Sequence, residues 1–388
     1  MPLRSVTILI KRFATAVLLV SLSACSSNPN QHKPSPLAVL PSKAEQVNLK
    51  RQWKTTVGAG LADDVVKLRT ASQTTTQYAV SRDGVVLAVD EQGKKIWQQK
   101  TKLAITGGVS AAYGIVVIGS AKGDVVAFNA LNGTELWRKK VLAAVLAPAA
   151  ISADSVIVQS NDGKVYGLHP QTGDKIWVYD TPVPSLSLRG YATPLIVDDV
   201  VIVATATGKI VALETKTGIG RWESRIAVSE GRSELARLID VDSDMLLSND
   251  KLYVASYQGQ LAALEIADKP TPLWQLPVSS FQSLAQGLGN VYVVDAGSTI
   301  IAVDQVSGKV VWKQSDFAWR GLSNAVTLGD YLIVGDNKGY IHLMAQSNGK
   351  LLGRKKVSDA VIQLSVNQQA LMVYTAKGQW SRWQLPAL

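Results

Sequence analysis

A single cysteine, Cys25, stands in 388 residues. No disulfide can close within such a chain, and no thiolate metal site can be built. Histidine is nearly as scarce. His32, His169 and His342 lie far apart, with no spacing that suits a metal or a Ser-His-Asp arrangement. Gly58-Ala59-Gly60 lacks the third glycine and the βαβ setting of a dinucleotide site. Charged residues make up only 18% of the chain and hydrophobic ones 47%, which excludes a disordered polymer and allows a large core. The net charge is +10, but the basic residues do not interleave with aromatics as a nucleic-acid groove requires.

What is present begins with an address. Residues 1–24 carry a basic start (Arg4, Lys11, Arg12) and the apolar run Ala14 to Leu22, the anatomy of a signal peptide. That run is too short to cross a bilayer as a mature helix. It ends in Leu22-Ser23-Ala24-Cys25, which resembles the bacterial lipobox. The resemblance implies cleavage before Cys25 and acylation of its thiol and new amino terminus. Ser26, where an Asp would be the inner-membrane retention cue, implies passage to the outer membrane. Removing residues 1–24 takes three of the ten net charges away and leaves +7. Residues 25–45 are polar and proline-rich, and read as a flexible tether between lipid and domain.

Residues 46–388 repeat one phrase. Its clearest copy runs from Gly123 to Trp137: a turn glycine, a short apolar strand, an Asn-Gly turn and a strand marked by tryptophan. Copies start at Gly84, Gly123, Gly163, Gly208, Gly259, Gly297, Gly339 and Gly378, at steps of 38 to 51 residues. Short strands at a period near forty predict an all-β, eight-bladed β-propeller of four-stranded antiparallel blades. In the second unit the strands are expected over Gly107–Ala112, Ile115–Gly119, Val125–Phe128 and Thr134–Lys140. One large ring per unit (Trp97, Trp137, Trp177, Trp222, Trp274, Trp312) at a fixed offset from a turn glycine is expected to pack between blades. The last unit has room for only one strand after Gly378, whereas Leu49 to Thr55 reads as an orphan fourth strand. The N-terminal strand should therefore complete the C-terminal blade and close the ring.

The phrase resembles the tryptophan-docking repeat of the quinoprotein dehydrogenase propellers, as at Asn129 to Trp137, His169 to Trp177, Glu214 to Trp222 and Asp304 to Trp312. Those enzymes bind pyrroloquinoline quinone with a vicinal cysteine pair and calcium. A second cysteine is missing here, so no catalytic residue, metal or cofactor is expected. Lipobox, tether and propeller together resemble the BamB family of the bacterial β-barrel assembly machinery. That resemblance implies a non-enzymatic scaffold, lipid-anchored at the outer membrane and facing the periplasm. It would bind the periplasmic POTRA domains of BamA, reach other subunits through BamA, and assist insertion of outer-membrane proteins, with unfolded client chains as further candidate partners. Alternatives are a quinoprotein-like enzyme, or a propeller that binds polysaccharide or client chains at its sheet edges.

Against the forty-residue period two connections are long: 45 residues separate Trp177 from Trp222, and 52 separate Trp222 from Trp274. The first contains Leu186, Leu188 and Arg189 in an alternating Ser-Leu-Ser-Leu-Arg-Gly run. Its leucines either anchor a partner or fold under the propeller rim. The second contains Asp240 and Asp242, carboxylates able to hold Arg189 or meet a basic partner. The resemblance to the BamB family implies that these two loops form the BamA contact.

Overall fold

The computed structural model describes residues 33–62, 66–184, 192–227, 239–267 and 270–386. Among these, thirty-two strands make eight four-stranded antiparallel sheets. Blade 1 spans residues 71–100, blade 2 105–140, blade 3 150–180, blade 4 195–225, blade 5 246–277, blade 6 285–314 and blade 7 326–356. Blade 8 joins the strands Val361–Asn367, Ala370–Thr375 and Gln379–Gln384 to the N-terminal strand Lys50–Thr56. The expected closure is borne out: Lys50 pairs with Gln384 and Thr55 with Trp380.

The strand chemistry explains the radial order. Second and third strands such as Ile115–Ser120 and Asp124–Asn129 are covered on both faces by neighbouring blades, and so read as continuous Val/Ile runs. The fourth strand Glu135–Lys140 meets water everywhere except at Trp137. Trp97, Trp137 and Trp177 are each 7% exposed.

Each blade is stitched to the next through that tryptophan. The indole of one blade lies flat against a turn glycine of the following one: Trp97 on Gly133, Trp137 on Gly173, Trp177 on Gly218, Trp274 on Gly308, Trp312 on Gly349. The closing junction uses the same stitch, Trp53 on Gly93. A Cβ at any of these six glycines would come within 2.5–2.7 Å of the ring, and their φ lies between +69° and +78°. Only glycine meets both demands. The indole N–H then donates to a carbonyl of the same turn, at 2.7–3.1 Å. Small residues make room on the third strand: Ala88, Ala127, Gly167, Ala212, Ala263 and Ala302 each pair with the tryptophan of their own blade.

Two junctions depart from this pattern. At the blade 4–5 junction the sequence from Glu265 to Thr271 carries no glycine, and Glu265 N reaches six residues ahead to Thr271 O where its counterparts reach four or five. In blade 7 the size relation is inverted, with Gly353 opposite Leu343. The seat left by the missing indole is filled from the N-terminus. The Val47 amide donates to Leu352 O at 2.9 Å, and a Cβ on Gly353 would lie 2.1 Å from Val47 O.

The segment expected to be tether through residue 45 is thus fixed to the propeller from Ser35 onward. Ser35 N donates to Ala318 O at 2.9 Å, Arg320 Nη1 donates to Ser35 O at 2.8 Å, and Arg354 donates to Ala38 O. Ala38 and Leu40 pack against the blade 6–7 core beside Trp312. This strap overrides its polar, proline-rich composition because two arginines and an empty indole seat receive it.

Candidate functional site

The connections that run from each fourth strand to the next first strand emerge on one face of the ring. Leu186, Leu188 and Arg189 lie outside the described residues, as does Cys25. The ends of the two long connections are described, and they meet. Thr193 N, from the blade 3–4 connection, donates to Asp244 Oδ1 at 2.9 Å, in the blade 4–5 connection. Asp244 is the local hub: its Oδ2 also accepts from Ser283 Oγ at 2.7 Å and forms an ion pair with Arg69.

Asp240 and Asp242 are buried, 1% and 4% exposed. This differs from the solvent-facing carboxylates a loop composition suggests. Their backbone is drawn inward because Asp240 bridges to Tyr257, with Tyr257 N donating to Asp240 O at 2.9 Å, and because Asp242 turns toward the propeller axis. A cavity of about 1170 Å³ runs along that axis, lined by Lys67, Thr106, Asn161, Asp242, Phe281 and Ile362 among others. Lys67 Nζ donates to Phe281 O at 2.6 Å and to Asp242 O at 3.3 Å, and lies 5.4 Å above the Phe281 ring. Lys67 and Arg69 therefore tie the approach to blade 1 to the connections around blade 5, across the axis.

The electrostatics follow from burial. Both carboxyl oxygens of Asp240 and one of Asp242 have no hydrogen-bond partner. Desolvation raises both groups above the ordinary carboxylate range. Asp242 pushes Asp240 further up, and Lys67 pulls both back. Burial also draws Lys67 down to about 8 and Arg69 down to about 10. A carboxyl with a raised folded pKa holds more protons folded than unfolded, so stability falls as pH rises from about 4 through the raised value. The lowered Lys67 acts in a separate window, from about 8 to 10.5, where folding releases its proton and stability recovers. The melting temperature should thus fall between about pH 5 and about pH 8, and Asp240→Asn should flatten that slope. At the upper pH the variant should gain about 1–3 kcal/mol, because the amide folds without taking up a proton, whereas the carboxyl is ionised in the unfolded chain and must be neutralised to be buried. An Asp240→Asn melt that is lower than wild type at about pH 8 would contradict this.

Among the described residues no group of three His, Cys, Asp or Glu side chains could hold a metal ion. His169 sits exposed in a turn, where its Nδ1 accepts from Gln171 N at 3.3 Å. His342 is buried in blade 7 against Asp336. The sequence reading missed Lys67, Arg69 and Asp244. Asp244 closes the acidic run that starts at Asp240, and Lys67-Leu68-Arg69 alternates just ahead of the first inner strand. Neither signal says what it faces across the ring.

A family model described as outer membrane protein assembly factor BamB matches residues 82–314 and 298–384. The outer membrane protein assembly factor BamB of Pseudomonas aeruginosa is 44% identical over 353 residues, covering 90% of this chain and 92% of its own. The chain belongs to the BamB family. The crystal structure of BamB from Moraxella catarrhalis superposes with a TM-score of 0.81 at 31% identity, over 87% of this chain and all of that one. Quinohemoprotein alcohol dehydrogenase from Comamonas testosteroni gives a TM-score of 0.68 at 12% identity, covering 86% of this chain and 76% of its own. That likeness concerns the fold alone. The family whose model matches is named for assembly, not for an enzymatic reaction.

Proposed function

We propose that this BamB-family propeller is a non-enzymatic scaffold of the outer-membrane β-barrel assembly machinery. It is anchored by acylated Cys25 on the periplasmic side of the outer membrane, and it docks on the POTRA domains of BamA. The observation that carries the docking site is the junction at Asp244. Through it the two long connections share one hydrogen-bonded base with Arg69, Thr193 and Ser283. On that base Leu186, Leu188 and Arg189 are the groups that touch BamA. Asp240 and Asp242, buried beneath, set the path of the second loop, with Lys67 and Arg69 as positioning residues.

The reading is tested by co-purification from solubilised outer membranes. Leu188→Ala or Arg189→Glu should weaken BamA recovery by about 30-fold or more, the effect of losing one interface anchor worth about 2 kcal/mol. The melting temperature should stay within a few degrees of wild type. Unchanged recovery, or loss of recovery only together with unfolding, would assign these residues to the rim of the fold instead.

A further inference from the structure

The docked strap leaves a second surface to be explained. Its residues alternate: Ala38 and Leu40 pack inward, while Leu37 and Val39 face water, Val39 at 93% exposure. A solvent-facing valine and leucine in a segment held by arginines are not explained by the core. Where the strap is first anchored, Trp319 is 44% exposed and held at φ +58°. A bulky residue displayed in the left-handed region is an uncommon and costly arrangement. Trp319 follows Ala318, whose carbonyl receives Ser35 N, so strap and indole belong to one patch.

Cations rim this patch. Lys356 Nζ donates to Lys338 O, and both lysines are exposed. Lys356 and Arg354 lie 4.2 and 5.9 Å from the Tyr340 ring, and Arg354 in turn holds Ala38. Lys33 is exposed at the free end of the strap, while Asp316 is the exposed acid nearby in sequence. Exposed aliphatic residues, an indole and flanking lysines make the composition of a surface that lies in a bilayer headgroup region.

We infer that the patch formed by Leu37, Val39 and Trp319, with Lys338 and Lys356, rests on an anionic phospholipid surface. The chain's own length argues for that occupant. Ten residues separate Cys25 from Ser35, a reach of at most about 35 Å. The inference rests on the acyl-anchor reading for its proximity, and it adds a second contact that fixes the tilt of the propeller on the membrane.

The experiment uses the full chain purified from membranes and reconstituted in vesicles with brominated acyl chains. Phosphatidylcholine vesicles are compared with vesicles that also contain phosphatidylglycerol. Tryptophan fluorescence should be quenched more strongly in the anionic vesicles, and Trp319→Phe should abolish that difference. Val39→Asp, at a site with no role in the core, should halve it or more while the melting curve is unchanged. Equal quenching in wild type and both variants, on protein whose mass shows the acyl groups, overturns the patch and leaves the anchor reading intact. If the mass shows no acyl groups, the anchor reading fails. The patch is then judged by flotation of the same chain with phosphatidylglycerol vesicles: co-flotation lost in Val39→Asp supports it, and no co-flotation overturns it. Loss of BamA recovery in Trp319→Phe without any lipid quenching would make the patch a protein interface and also overturn the proposal.

Discussion

A chain lacking residues 46–56 fails to form a stable, soluble propeller. The deletion strips the strand Gln379–Gln384 of its partner along the register Lys50–Gln384 to Thr56–Gln379, leaving an open sheet edge. It uncovers Trp380 and Trp383, now 1% and 2% exposed, and removes the edge-on contact of Trp53 with Trp380 at 5.4 Å. It also takes the indole from Gly93 and the backbone of Val47 from the seat at Gly353. Truncating one buried tryptophan alone costs about 3–5 kcal/mol. Folded chains are stable by only about 5–15 kcal/mol, so losing a strand, a stitch and a filled seat together exceeds what the ring can spare. Soluble expression and near-ultraviolet circular dichroism read the outcome. A soluble truncated protein with a cooperative melt near that of wild type would sink the closure argument.

Asp336→Ala is the second large effect. Asp336 is fully buried in blade 7 and accepts five hydrogen bonds. Its Oδ2 receives Arg320 Nε at 2.8 Å, Arg320 Nη2 at 2.5 Å and His342 Nε2 at 3.0 Å. Its Oδ1 receives the backbone amides of Lys338 and Tyr340, both at 2.9 Å. Burial alone would raise this carboxyl, but the combined bonds from His342, Tyr340 N and Arg320 win, bringing it down to about 2. Burial lowers His342, so at neutral pH the imidazole is uncharged and its Nε2–H donates to Asp336. The stability Asp336 contributes is thus present above the ordinary carboxylate range and is lost only as pH falls through about 2. Removing the carboxyl leaves the Arg320 guanidinium buried without its counter-ion, at about 3–5 kcal/mol. For a chain of this size that lowers the melting temperature by about 4–7 °C. Because Arg320 also holds Ser35, proteolysis within residues 33–45 should accelerate in the folded state. A melt within about 2 °C of wild type at neutral pH would refute the account.

The repeat made the ring legible. A turn glycine and a tryptophan four residues later carry a local rule, and Trp53 near the N-terminus supplies the same ring on an orphan strand without the glycine before it. The pairing of ends could therefore be argued before any contact was known. The strap was not legible, because its composition resembles a free linker. What holds it is a vacancy at Gly353, some three hundred residues away in sequence, and two arginines whose reach composition does not state. The burial of Asp240 and Asp242 was hidden for a related reason. Loop sequences do not say which way a carboxylate turns, and Lys67, which meets the Asp242 carbonyl, lies 175 residues upstream.

A ring under load parts at its least fastened joint. Six junctions carry the indole-on-glycine stitch, and the blade 7–8 junction is filled by Val47. Among the described residues the joint between blades 4 and 5 shows neither, and the turn 265–271 has no glycine in its sequence. That same joint is spanned by the longest connection, the one that carries Asp240, Asp242 and Asp244. Where its connection is longest, the propeller thus relies on the shared core of blades 4 and 5 in place of a stitch. A partner seated there would pull on a hinge instead of a rigid wall, while the arc of blades 6 and 7, belted by the strap, stays stiff.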